Sequence, residues 1–128
     1  MSEDSHGFLT ENLKKGLTEY LLLQCLAARP MAIYEIVAVL DEKSGGVCKI
    51  CYPYATIYRL LDSGCIAEMG KHFADNRRRA FFRITDAGKA RLARMKDELD
   101  DFLLGMRGIE TYLEETNDAD EQPSQIVS

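Results

Sequence analysis

Seven apolar residues towards the C-terminal end place the tightest constraint on what this chain can fold into. Leu92, Met95, Leu99, Phe102, Met106, Ile109 and Leu113 alternate by 3 and 4 residues over three heptads. This is the a/d spacing that lines one seam of an α-helix. A helix over 85–113 is about 43 Å long at 1.5 Å per residue. The chain has 128 residues, enough for one domain with a modest core. A domain of that size cannot cover a seam of about 43 Å, whereas a second copy of the chain can. The expected state is a homodimer, with Leu92, Met95, Leu99, Phe102, Met106 and Ile109 at its interface.

Ahead of that helix the chain is built from short pieces. A first helix is predicted over 9–28, with Leu13, Leu17, Tyr20 and Leu21 at helical spacing and Leu22, Leu23 and Leu26 extending the apolar surface around the cylinder. A helix apolar on several sides is packed on several sides. Arg29-Pro30 ends it, because proline disfavours helix at the residue before it. Ile33, Ile36, Val37 and Leu40 fall at i, i+3, i+4 and i+7 and mark a short second helix. Lys43-Ser44-Gly45-Gly46 is a loop signal. A third helix then starts with Pro53 at its first position, where the missing N–H costs nothing, and stops at Gly64. Its buried side is Ile57, Leu60 and Leu61; the opposite side shows Tyr54, Ala55, Thr56, Tyr58, Arg59 and Asp62.

Residues 65–69 and 79–84 read as the strands of a hairpin around a polar loop, 70–78, with Asp75-Asn76 at its tip. Two strands alone are marginal, so the hairpin must pack on the helices. Thr85 caps the start of the long helix, and Asp86 suits the positive end of its dipole. The fold class is therefore mainly α with a small β-hairpin wing (α+β), a winged helix-turn-helix followed by a long C-terminal dimerisation helix. Its expected divisions are 1–84 for the winged helix-turn-helix with its N-terminal helix, 85–113 for the dimerisation helix, and 114–128 for a disordered, acidic tail.

Charge is segregated along the chain. Residues 1–96 carry 15 Lys and Arg against 11 Asp and Glu, a balance of +4, while 97–128 carry one Arg against 10 acids, a balance of −9. The net charge of −5 thus hides a basic region. Its densest part, 71–96, holds Lys71, Arg77, Arg78, Arg79, Arg83, Lys89, Arg91, Arg94 and Lys96 against Asp75 and Asp86. Such a division matters more to a polyanionic partner than the total does. No apolar run approaches the ~18 residues of a membrane span, so no membrane partner is expected. The polar, partly acidic 1–7 lack the pattern of a secretory signal. The expected place is the cytoplasm, with the four cysteines reduced.

Several local matches give this order of elements a family. Gly16-Leu17-Thr18-Glu19-Tyr20-Leu21-Leu22-Leu23, then Ala28-Arg29-Pro30 with Tyr34-Glu35-Ile36, then Tyr54 and Arg59-Leu60 with Gly64-Cys65-Ile66 follow in sequence. The most specific stretch is Arg77-Arg78-Arg79-Ala80-Phe81-Phe82-Arg83-Ile84-Thr85-Asp86-Ala87-Gly88. Over about 13–95 the chain resembles the PadR family of bacterial winged-helix regulators, in its short form with a single C-terminal helix. It departs from the family at Ala32-Ile33, where His-Gly is usual, and at the entry to the third helix, where Pro53 stands two places earlier than the family's proline.

The resemblance implies a sequence-specific DNA-binding transcriptional regulator, a ligand-responsive repressor that meets an inverted-repeat operator on double-stranded DNA as a dimer. It also implies that Leu13 and Leu17 of the first helix join the dimer interface, and that a small apolar or aromatic effector binds near it, for which Leu13, Leu17, Met95, Leu99 and Phe102 are the candidate lining. Arg77, Arg78 and Arg79 on the wing are expected to fork onto phosphates. Tyr52, Tyr54 and Tyr58 offer hydroxyls to phosphates, and Thr56 and Arg59 are the candidate base readers. The alternative is a protein-interaction module that keeps the winged helix but has lost specific DNA binding. Cys48-Lys49-Ile50-Cys51 has a spacing used by zinc sites and redox pairs, but no second pair of ligands follows it and it lacks a βαβ setting. No cofactor, metal or catalytic residue is expected.

Overall fold

The computed structural model describes residues 7–74 and 77–120, with the side chains of 71–79 and 120 outside that description. Its elements run α1 (Phe8–Ala28), β1 (Met31–Ala32), α2 (Ile33–Lys43), α3 (Tyr54–Asp62), β2 (Ile66–Ala74), β3 (Arg77–Ile84) and α4 (Asp86–Asp120). The chain divides into two units, Met1–Ala93 and Arg94–Ser128. The winged helix-turn-helix is thus present, with a small antiparallel sheet of three strands in the order β1-β3-β2.

The first unit is organised around α1. Leu22, Leu23, Cys25 and Leu26 are buried on more than one side of this helix, which packs against α2, α3 and β3. Leu22, Leu23, Ile36, Ile57 and Leu60 form the fully buried centre. The N-terminal part of α1 behaves differently, with Phe8, Leu9 and Leu13 exposed. Arg29 is extended at the C-cap, ahead of Pro30 as expected. At the start of α2, Glu35 reaches back to accept a 3.0 Å hydrogen bond from the Ala32 N–H, and its other oxygen meets Arg29 at 3.3 Å. That satisfies one of the amides a helix leaves free at its N-terminus.

Pro53 is the N-cap of α3 rather than its first residue. Its carbonyl accepts the first helical bond from Ile57 N–H at 3.0 Å. At the other end Gly64 has φ +79°, a region open to glycine at no steric cost. Cys65 N–H bonds to Leu60 O at 2.9 Å and Gly64 N–H to Leu61 O at 3.1 Å, the paired closure of a Schellman motif.

The hairpin is longer than the sequence suggested. β2 and β3 stay paired from Ile66↔Ile84 out to Ala74↔Arg77, with a register irregularity between Glu68 and Lys71. The polar run 70–78 looks like a loop by composition, but ladder hydrogen bonds use backbone groups and a solvated strand tolerates polar side chains. The expected tip, Asp75-Asn76, lies outside the described residues. β1 adds a third strand, with Met31 opposite Phe82 and Ala32 opposite Phe81.

α4 is docked at its origin by a compact lock. Thr85 N–H donates to Cys65 O at 2.9 Å, Thr85 Oγ donates to Gly64 O at 2.6 Å, and Gly88 N–H donates to Thr85 Oγ at 3.1 Å. A Cβ on Gly88 would overlap the Cys65 carbonyl oxygen and come within 2.7 Å of Ile84 Cγ1. The Thr85-Asp86-Ala87-Gly88 stretch therefore has a packing reason as well as a capping one. Arg91 and Glu19 form an ion pair that ties the same turn to α1. α4 continues to Asp120, past the expected end at Leu113. No glycine or proline stands between 109 and 122 to stop it, and Glu and Leu are good helix formers. Residues 121–128 of the expected acidic tail lie outside the described residues.

Candidate nucleic-acid interface

α3 presents two unlike sides. Ile57 and Leu60 are sealed into the core, whereas Tyr54, Tyr58 and Arg59 stand in solvent, Tyr58 at 62% exposure. Tyr52, 85% exposed, immediately precedes the helix. Thr56 does not join them. It is only 8% exposed, and its hydroxyl accepts a 3.4 Å hydrogen bond from Arg59 Nη2. The sequence assigned Thr56 to base reading because it sits among polar neighbours. Its position one turn before the exposed Arg59 makes it a brace for that side chain instead. Ala55, Arg59 and Asp62, at i, i+4 and i+7, form the exposed ridge.

Arg77, Arg78 and Arg79 occupy the first three positions of β3, opposite Ala74, Phe73 and His72. Nearer the core, Arg83 is exposed and pairs in register with Ala67, while its strand neighbours Phe82 and Ile84 are buried. β3 therefore carries arginine from its distal end towards its base.

A groove of about 650 Å³ opens where α2, α3 and the sheet meet. Ile33, Tyr34 and Val37 contribute from α2, Tyr54, Tyr58 and Leu61 from α3, and Glu68, Ala80 and Phe82 from the sheet. Sequence reasoning passed over Tyr34 and Glu68. The signal for Glu68 was the period of two in a strand, since it follows the buried Ile66 by two residues and so shares its face.

The four cysteines are free: Cys25 and Cys65 are buried, Cys48 is half-buried and Cys51 is exposed. Burial pushes the Cys25 thiol above its ordinary pKa. Among the described residues, no group of three or more His, Cys, Asp or Glu side chains could hold a metal ion. None of the described helices is long and apolar enough to cross a membrane.

In the second unit the expected seam is uncovered along much of its length. Phe102 is 64% exposed, Met106, Ile109 and Leu113 are also exposed, and Met95 and Leu99 are half-buried. Leu92, in the first unit, is half-buried, as is Leu17.

This arrangement of helices and sheet has a known counterpart. The model of the transcriptional regulator PadR-like family matches residues 22–94, more than half of the chain. The chain belongs to the PadR-like family. The match ends within the first turns of α4, so it takes in the helix-turn-helix, the wing and the Thr85–Gly88 lock of this PadR-like regulator.

Solved structures share the fold. A PadR family transcriptional regulator from Eggerthella lenta superposes with a TM-score of 0.69 at 21% identity, covering 79% of this chain and 88% of that one. A PadR-like transcriptional regulator from Bacillus cereus gives 0.67 at 19% identity, covering 77% and 95%. A transcriptional regulator from Clostridium thermocellum gives 0.63 at 21% identity, covering 79% and 97%. No curated protein matches the chain significantly.

Proposed function

We propose that this PadR-like regulator binds double-stranded DNA as a homodimer and represses transcription from an inverted-repeat operator. The observation that carries the reading is the two-sidedness of α3. Its inner side is fixed by Ile57 and Leu60, so its outer side presents Tyr58 and Arg59 on a rigid support. Tyr52, Tyr54 and Tyr58 supply phosphate contacts, Arg59 reads base edges with Thr56 holding it in place, and Arg77, Arg78 and Arg79 add phosphate contacts from the wing. Two copies join through the seam of α4 and the exposed Leu13 of α1. A flat apolar effector against Met95, Leu99 and Phe102 would release DNA by as much as it favours the non-binding arrangement.

The test is a mobility shift and footprint over a range of salt. A two-fold dimer should protect half-sites about 10 bp apart, or a multiple of that. Arg59→Ala should relax preference within each half-site. Arg77→Ala with Arg78→Ala should weaken all sequences alike and lower the salt slope by about 1 for each phosphate no longer neutralised. A protein that shifts no DNA at any salt would favour the interaction-module reading.

A further inference from the structure

The groove between α2, α3 and the sheet contains a charge that a DNA-binding surface does not need. Glu68 lies directly opposite Phe82 in the β2–β3 register, and both line the groove. Three tyrosines, Tyr34, Tyr54 and Tyr58, line it from the helices. Among the described side chains, which exclude those of 71–79, no cation is paired with Glu68. A carboxylate here repels phosphate, so the groove itself is ill suited to the DNA backbone.

We infer that this groove is a binding site for an organic cation, a weakly hydrated ammonium attached to an apolar or aromatic body. Tyrosine faces attract such cations through the ring quadrupole. Glu68 supplies the opposite charge, and Ile33, Val37 and Leu61 take the apolar part. A single carboxylate among aromatic rings offers too few oxygen ligands for a metal ion. The acidic segment 97–128 of this chain carries the wrong sign to be the occupant. The space of about 650 Å³ lies within the ~300–1,000 Å³ usual for small-molecule sites.

Tyr54 and Tyr58 belong both to this groove and to the surface proposed above to meet DNA. A cation bound here would engage their rings and weaken DNA binding directly. That consequence rests on the proposed DNA-binding reading, whereas the site itself does not.

The experiment uses the full chain without DNA. Phenyltrimethylammonium and its uncharged isostere tert-butylbenzene are titrated while the ring protons of Tyr34, Tyr54 and Tyr58 are followed by NMR. The charged probe should shift all three rings and bind about tenfold more tightly than the neutral one. Glu68→Gln should remove about three- to fivefold of the affinity for the charged probe and leave the neutral one unchanged. Tyr58→Ala, also at an exposed position, should weaken the charged probe severalfold without altering the melting curve.

Equal binding of the two probes, indifference to Glu68→Gln, or shifts confined to other rings would each overturn the site. A final arm adds DNA at matched ionic strength. Competition supports the shared role of Tyr54 and Tyr58. Cation binding with unchanged DNA affinity leaves the site standing and overturns the placement of those tyrosines on DNA.

Discussion

α3 and α4 are both amphipathic, and their apolar stripes meet opposite fates. On α3 the stripe ends in the core, with Ile57 and Leu60 essentially inaccessible. On α4 the residues of the seam from Phe102 onward stay in solvent. The spacing of apolar residues tells which side of a helix seeks cover; it does not tell where the cover comes from. α3 has 9 residues and lies within a unit large enough to enclose it. α4 has 35 residues, about 52 Å at 1.5 Å per residue, and outruns anything one small domain can offer. The difference is one of length against core size.

The sharpest way to break this contrast is to charge the long seam. Leu99→Glu with Phe102→Glu should raise the dimer dissociation constant about a thousandfold or more, since two central interface residues are each expected to contribute at least ~2 kcal/mol. Sedimentation should then show monomers with intact helical circular dichroism. A native chain that sediments as a folded monomer at micromolar concentration would remove the basis for the comparison.

A second pair of substitutions separates the two kinds of burial. Ile57→Ala should cost about 2–5 kcal/mol at any protein concentration, because the cavity forms inside one chain. Ile109→Ala should cost less, and its effect on the denaturation midpoint should depend on protein concentration, as expected when burial requires association. Urea melts at two concentrations distinguish these outcomes. Equal concentration dependence for both variants would place α4 in the same class as α3.

Smaller effects sharpen the picture. Thr85→Val keeps the shape but removes both hydroxyl hydrogen bonds, and should lower stability by about 1–2 kcal/mol, measurable in the same melts. Among the thiols, Cys51 should react first with an alkylating reagent, followed by Cys48. Cys25 and Cys65 should label only on unfolding, and the raised pKa of Cys25 reduces its thiolate further. Mass spectrometry of partly labelled protein gives the order, and early labelling of Cys25 would contradict its burial.

Much of the fold was legible because it is written in patterns longer than a few residues. The stripe of α2, the many-sided α1, the stop at Gly64 and the start at Thr85 all follow from spacing or local chemistry. What escaped the reading is shorter or depends on tertiary neighbours. β1 is two residues long, too short to display a period, and exists because β3 is beside it. The hairpin extends through 71–74 and 77–78 because backbone pairing is indifferent to the charge of the side chains. Thr56 looked like an outward residue by composition, but it stands one turn before the buried Leu60 and so shares its side of α3. Glu68 is exposed at the groove but shares the strand face of Ile66, and alternation alone would have placed it there.

The lock at the base of α4 has a mechanical meaning. Thr85 and Gly88 leave no slack between the first turn of this helix and Gly64-Cys65, the residues that end α3. Two direct hydrogen bonds and a glycine held against a carbonyl make the joint stiff in bending as well as in extension. A torque applied to the first turn of α4 is therefore delivered to the end of α3 rather than dissipated in a loop. That turn and the close of α3 thus form one rigid corner, with Gly88 as its keystone.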